Sequence, residues 1–220
     1  MPPDTLGPEH FVQFLPRDGG LIDALERDSI ARGIPIVGPT VGALLSVLVR
    51  ATGARRVLEL GTANGYSAIL IARALPRDGK LVTVEWDAAI AAEARANLGG
   101  ARLSRRVDVL VGDAFGLMKG MRGGSFDLVF MDIEKEMYTR ALPHCVRLLR
   151  AGGVLVCDNV AFRSAGDFPE RLSRHMGLET CFIHGTFHHH SPDRDAISIS
   201  VKRILDRRRQ SPSKAPGFPK

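Results

Sequence analysis

Residues 56–67 read Arg56-Val57-Leu58-Glu59-Leu60-Gly61-Thr62-Ala63-Asn64-Gly65-Tyr66-Ser67. The first half predicts a buried strand, Val57 to Leu60, and the second half a turn that opens a helix. Gly61 suits a backbone that must leave a sheet sharply or take a positive φ, and Gly65 lets the helix start close to whatever sits above the strand. A small ligand lying on that edge would touch backbone.

The pattern is E-x-G-x-x-x-G, whereas dinucleotide-binding turns read G-x-G-x-x-G, with a middle glycine that admits a pyrophosphate. Ala63 holds that middle position, which speaks against a dehydrogenase and for a nucleoside ligand without phosphates. The next expected strand, Leu81 to Val84, ends in Glu85, 24 residues beyond Gly61. An acid there can hold both hydroxyls of a ribose. The alternative is a generic α/β turn with an exposed acid at a strand end.

Outward from this stretch, strand and helix alternate, which predicts an α/β fold with a parallel sheet. Further strands are expected at Val107–Val111, Phe126–Met131 and Val154–Cys157, dense enough in apolar residues to be covered on both faces, and at Glu179–Ile183 and Ala196–Val201, the latter alternating Ile197, Ile199 and Val201. Helices are expected at Glu9–Leu15, Leu21–Arg32 and Thr40–Ala51, with turn chemistry at 16–20 and an extended link at 34–39. Another helix begins after Asp87, which serves as its cap. A helix before the fifth strand places Tyr138, Ala141, Leu142, Cys145, Leu148 and Leu149 on one stripe, and Pro143 within it predicts a kink or a late start.

The 220 residues suffice for one sizeable core. One domain is expected over 1–201, its N-terminal helices in 1–52 packing on a sheet core in 53–201. No apolar run approaches the roughly 20 residues needed to span a bilayer, and Met1-Pro2-Pro3-Asp4 lacks a signal peptide's basic start, so a cytoplasmic protein without membrane contact is expected. Cys145, Cys157 and Cys181 fall singly in apolar stretches and read as reduced core residues, without a disulfide framework or zinc site. The net charge of +6 resides in the end of the chain: from Lys202 to Lys220 seven basic residues face Asp206 alone. That basic tail, 202–220, reads as a flexible solvated segment or as a contact to RNA or another polyanion.

The residues at the strand ends are the most telling feature. Gly61, Glu85, Gly112-Asp113, Asp132 and Asp158-Asn159 close the first five strands in turn. In an open parallel sheet these carboxyl ends share one edge, over the crevice where ligands bind. Any one Asp after a strand is usually a helix N-cap; five polar strand ends in register imply a site. Asp132, Asp158 and Asn159 offer only oxygen, which suits a hard divalent cation such as Mg²⁺. Lys135, three residues after Asp132, can point its amine into the same crevice, where a cation would ease loss of its proton and acidify a bound hydroxyl. A salt bridge to Asp132, Glu134 or Glu136 is the plainer role. Asp113 and Ala114 would sit over the adenine side of a nucleoside, with helix capping as the competing role for Asp113. Trp86 either covers the ligand or packs, and His188-His189-His190 reads as loop, with a polyanion or substrate-rim role as the alternative.

These residues resemble the cation-dependent class I methyltransferases that use S-adenosylmethionine, the group containing catechol and caffeoyl-CoA O-methyltransferases. The match runs from about Ile36 to Val201 through Pro39 and Gly42, the L-E-L-G-T-x-x-G-Y-S loop, Glu85, Gly112-Asp113-Ala114, the D-x-x-K-x-x-Y run of Asp132, Lys135 and Tyr138, and Asp158-Asn159-Val160. The resemblance implies a Rossmann-like seven-stranded sheet with the last strand antiparallel, commonly a homodimer, with Asp132, Asp158 and Asn159 binding Mg²⁺ or another hard cation. It implies Lys135 as general base, Asp132 orienting the metal, and cofactor contacts from Val37, Glu59, Gly61, Thr62, Gly65, Tyr66, Ser67, Glu85, Trp86, Asp113, Ala114, Asp132 and Tyr138. Ile133-Glu134 and the segment 160–164 depart from the family pattern, so the acceptor loop is its own. A second branch, bacterial tRNA 5-hydroxyuridine methyltransferase, resembles the chain in its G-T-A-x-G-Y-S loop, its D-N-V-x-F run and its basic end. The expected reaction is methyl transfer to a hydroxyl of a small catechol-like or phenolic acceptor. Wobble 5-hydroxyuridine in tRNA, held through the tail, is the alternative, and a non-catalytic cofactor-binding module a third reading.

Overall fold

The computed structural model describes residues 7–15, 20–187, 189, 190, 192 and 194–204. Among them a seven-stranded sheet runs through β1 (Arg56–Leu60), β2 (Lys80–Glu85), β3 (Val107–Val111), β4 (Phe126–Met131), β5 (Leu149–Cys157), β6 (Leu178–Thr186) and β7 (Arg194–Lys202). Its order is β3-β2-β1-β4-β5-β7-β6. β1 to β5 pair in parallel, and β7 is antiparallel to both β5 and β6, as the resemblance implied.

Side-chain alternation along the central strands feeds two apolar layers. Val57, Leu128, Phe130, Val154 and Val156 face one side, with α2 (Leu21–Arg32), α3 (Gly38–Ala51), α4 (Tyr66–Ala74) and α5 (Ala88–Gly100). Leu58, Leu60, Val129, Met131, Leu155 and Cys157 face the other, with α6 (Ala114–Gly120), α7 (Tyr138–Leu148) and α8 (Phe168–Ser173). A period of two on strands buried on both faces leaves no polar face, which explains their uniformly apolar sequence. Each fully buried Leu or Phe contributes roughly 1.5–3 kcal/mol.

Several boundaries differ from the sequence reading. α1 covers Pro8–Val12 only. The extended link ends at Val37, because Gly38 and Pro39 form the first turn of α3, where a proline's missing N–H costs nothing. Pro143 lies inside α7, which is preceded by a 3₁₀ turn at Lys135–Met137. β5 begins at Leu149 and β6 reaches Thr186. α8 was not anticipated: six residues with two buried apolar positions, Phe168 and Leu172, are too short for a helical period to register. Cys145 and Cys157 are buried, but Cys181 is exposed, because β6 is an edge strand. Most of the turn at 16–20 and the tail beyond Ile204 lie outside the described residues. No helix among those described is long and apolar enough to cross a membrane.

Candidate active site

The carboxyl ends of the parallel strands form a continuous crest. Gly112 donates its N–H to Glu85, Gly61 to Val84, Asp132 to Leu60 and Asp158 to Met131, at 2.9–3.1 Å, so each residue leaving one strand is tied to its neighbour. Above the crest is a cavity of about 1020 Å³, and Gly61, Glu85, Asp113, Asp132, Lys135, Asp158 and Asn159 all line it. The expected convergence of strand ends is therefore found. Val37, Thr62, Tyr66, Ser67, Trp86 and Ala114 also line the cavity, together with Phe162 and Ser164 from the segment after Asn159.

On the side of the glycine turn, Gly61 takes φ +95 and Ala63 φ +45. The Glu85 carboxylate accepts the N–H of Ala63 at 2.9 Å and that of Asp87 at 3.1 Å, which fixes its place over the turn. Asp113 caps α6, accepting from Phe115 and Gly116, while still lining the cavity, so capping and facing a ligand are compatible here. Trp86 is 74% exposed at the cavity wall and does not pack in the core. A floor of backbone bordered by two carboxylates suits the hydroxyls and amine of a nucleoside, which are hydrogen-bond donors.

Three expected cofactor residues do not line the cavity. Gly65 caps α4 in the left-handed region with its Cα side toward Ala94. Tyr138 is fully buried, and its hydroxyl donates to the Asp158 carbonyl at 2.9 Å, so it props the crest from beneath. Burial, with the nearby acids, holds it as a phenol by raising its pKa further. Glu59 shares strand parity with Val57 and is fully buried. Thr83 donates to its Oε2 at 2.6 Å, while Oε1 has no hydrogen-bond partner among the described residues. Burial pushes its pKa up to about 7, with smaller opposing contributions from hydrogen bonds of Ser67 and Thr83.

On the other side, Lys135 donates to Asp132 Oδ1 at 2.6 Å, the salt bridge anticipated as its plainer role, and its ammonium lies 5.4 Å from the Tyr138 ring and 6.0 Å from the Phe162 ring. Asp132 has its pKa raised by desolvation and by the charge of Asp158, against the pull of Lys135. Two carboxylates close enough to repel are what a cation between them would relieve. Asp132, Asp158 and the Asn159 amide form an oxygen donor set, which fits a hard divalent ion. Among the described residues no three His, Cys, Asp or Glu side chains group as a metal cage, so Asn159 and a substrate or water would have to complete the coordination.

Behind this set lie residues whose part in the site has no local sequence signal. His189 and His190 stand in the loop between β6 and β7, as expected, and His188 lies outside the described residues. His189 Nδ1 lies 2.6 Å from Oε1 of the buried Glu26 on α2. His190 is buried with Nε2 3.0 Å from both oxygens of Asp158 and Nδ1 2.7 Å from the Pro192 carbonyl. Both neighbours are acceptors, so both ring nitrogens carry hydrogen. Burial opposes that charge, but the Asp158 hydrogen bond and charge outweigh it and put His190 at about 9. Asp195, also buried, accepts from Asn159 Nδ2 at 2.6 Å and from the backbone of Ala161 and Ala196. Adjacent histidines in a sequence look like a solvated run; only the β6–β7 pairing turns them inward.

A model of the O-methyltransferase family matches residues 20–174. Catechol O-methyltransferase of Mycobacterium tuberculosis is 42% identical over 138 residues, covering 63% of this chain and 60% of that protein. Catechol O-methyltransferase of Niastella koreensis is 39% identical over 127 residues, covering 56% and 58%. The chain thus spans about 60% of the length of these curated relatives. Among solved structures, an O-methyltransferase of tomaymycin synthesis from Streptomyces achromogenes, in complex with S-adenosylmethionine (SAM), superposes with a TM-score of 0.80 at 28% identity, covering 90% of this chain and 96% of that one. An O-methyltransferase from Bacillus cereus in complex with SAH gives 0.80 at 27% identity, covering 89% and 96%. With the family model matching well over half of the residues, and the fold superposing on solved O-methyltransferases, the chain belongs to the O-methyltransferase family.

Proposed function

We propose that this protein is a divalent-metal-dependent O-methyltransferase that moves a methyl group from SAM to one hydroxyl of a small catechol-like acceptor. The observation that carries this reading is the convergence of Lys135, Asp132, Asp158 and Asn159 with the Gly61 turn and Glu85 on one cavity. The catechol O-methyltransferase names of two relatives support the acceptor class. When bound, SAM supplies an electrophilic methyl group, and a divalent cation lowers the pKa of a coordinated hydroxyl.

The chain's own residues do the rest. The Gly61 turn and Glu85 hold the nucleoside, with Asp113 and Ala114 on its adenine side and Trp86 at its edge. Asp132, Asp158 and Asn159 are the cation ligands. Lys135, once its ammonium has given up a proton to solvent, would receive the acceptor's proton at Nζ, and the oxyanion so formed would take the methyl as the methyl–sulfur bond of SAM breaks and the demethylated cofactor leaves as a neutral thioether. Phe162 forms apolar wall beside Lys135, excluding water from a reaction in which opposite charges cancel. Holding both reactants in contact supplies much of the remaining acceleration.

The test is transfer of label from SAM to a catechol panel, with Mg²⁺ and with chelator. Label that appears with Mg²⁺ and vanishes with chelator is the expected outcome. Equal labelling in both would remove the metal from the proposal, and no labelled catechol would remove the acceptor class.

A further inference from the structure

His190 reaches Asp158 from the protein side. Asp158 lines the cavity, whereas His190 does not, and its side chain is only 1% exposed. Its Nε2 is equidistant, at 3.0 Å, from the two carboxylate oxygens, a symmetric contact that resists rotation of the carboxylate. The ring cannot easily turn away, because Nδ1 is tied to the Pro192 carbonyl and the Phe187 ring packs against it with centroids 5.4 Å apart. Asn159 is held the same way, its Nδ2 bound to Asp195 at 2.6 Å. That contact decides which end of the amide is turned away from Asp195: the oxygen, the only end that can ligate a cation.

We propose that His190 is a positioning residue that presets the Asp158 carboxylate for a divalent cation, and that Asp195 presets the Asn159 amide. This rests on the reading of Asp132, Asp158 and Asn159 as cation ligands. A ligand already fixed in place loses little rotamer freedom when the ion arrives, and outer-shell partners of ligating groups are typically worth about 10–100-fold in metal affinity.

The experiment measures Mn²⁺ binding to the full chain, by the paramagnetic resonance signal of free Mn²⁺ and by calorimetry, alongside SAM binding followed by fluorescence of the chain's single tryptophan, Trp86. Four proteins are compared: wild type, His190→Leu, His190→Gln and Asp158→Ala. Gln places an amide N–H near the position of Nε2 without the charge of the imidazolium, so His190→Gln should bind Mn²⁺ at least as tightly as wild type. His190→Leu, equally uncharged but without the N–H, should bind it about 10–100-fold more weakly than His190→Gln with SAM affinity unchanged, and Asp158→Ala should lose it. Mn²⁺ affinity equal in His190→Leu and His190→Gln overturns the positioning role. If the Leu variant does not fold, His190→Asn, too short to reach Asp158, takes its place, and equal affinity in the Asn and Gln variants is the overturning result. Wild type that binds SAM but not Mn²⁺ overturns the metal reading itself, an outcome separable from failure of His190 alone.

Discussion

Gly61 and Asp132 are in backbone contact across the β1–β4 edge. A Cβ on Gly61 would lie 2.0 Å from the Asp132 carbonyl oxygen, and the Asp132 N–H already donates to Leu60 at 2.9 Å. The turn proposed to hold the nucleoside and the loop that carries Lys135 are therefore fixed to each other without an intervening side chain. Their spacing is a property of the sheet.

Gly61→Ala should be severe. The residue takes φ +95, and the obstructing atom is backbone, so neither strain nor overlap can relax through a side chain. A loss of about 2–4 kcal/mol is expected. Gly120→Ala, at a helical position with nothing within 4 Å, should be neutral or slightly stabilising. Urea midpoints at unchanged slope measure both; comparable midpoints for the two variants would contradict the overlap.

Lys135→Met should lower kcat about 10²–10⁴-fold while leaving SAM affinity intact, since it removes the proposed proton acceptor and one ion pair to Asp132. Initial rates and equilibrium binding separate the two effects. A kcat within a few-fold of wild type would reassign Lys135 to a structural partner of Asp132.

Glu85→Gln should weaken SAM binding about 10–100-fold, the worth of a hydrogen bond to a charged group. The carboxylate uses one oxygen for Ala63 and the other for Asp87, and the amide can replace only one of these. Calorimetric titration with SAM reads the change. An unaltered Kd would leave Glu85 as a brace for the turn.

Glu59 gives a pH signature. Its folded pKa is about 7 against an ordinary 4.5, so between those values the folded state holds the proton that the unfolded state has released. Stability should therefore fall as pH rises from about 4.5 to about 7, by at most about 3 kcal/mol, and be level above. Glu59→Gln should flatten this part of the profile, as thermal unfolding across pH 4–8 would reveal. An identical slope in the variant would assign the dependence to other groups.

The parallel core was legible because strands covered on both faces are written as short apolar runs, and because a glycine or an acid after each run marks the sheet's edge. Gly61, Glu85, Asp132 and Asp158 all announced themselves this way. Glu59 and Tyr138 did not fit the same logic: both stand in motif runs, but strand parity sends Glu59 into the helical layer, and α7 turns Tyr138 beneath the crest. His190 and Asp195 were hidden for another reason. Their partners are 32 and 36 residues away, across an antiparallel pairing that no local period encodes.

β7 is inserted between β5 and β6 although it comes after both in the chain. Until residues 194–202 take that slot, β5 is an open edge, and Asp158 and Asn159 stand at its tip without His190 or Asp195 behind them. Folding on the ribosome would thus leave the reactive corner for last: a nascent chain can close most of the sheet while this edge is still unpaired, exposed to partners of its own kind. Truncation or delay within that final strand should show itself first as aggregation, and only second as lost chemistry.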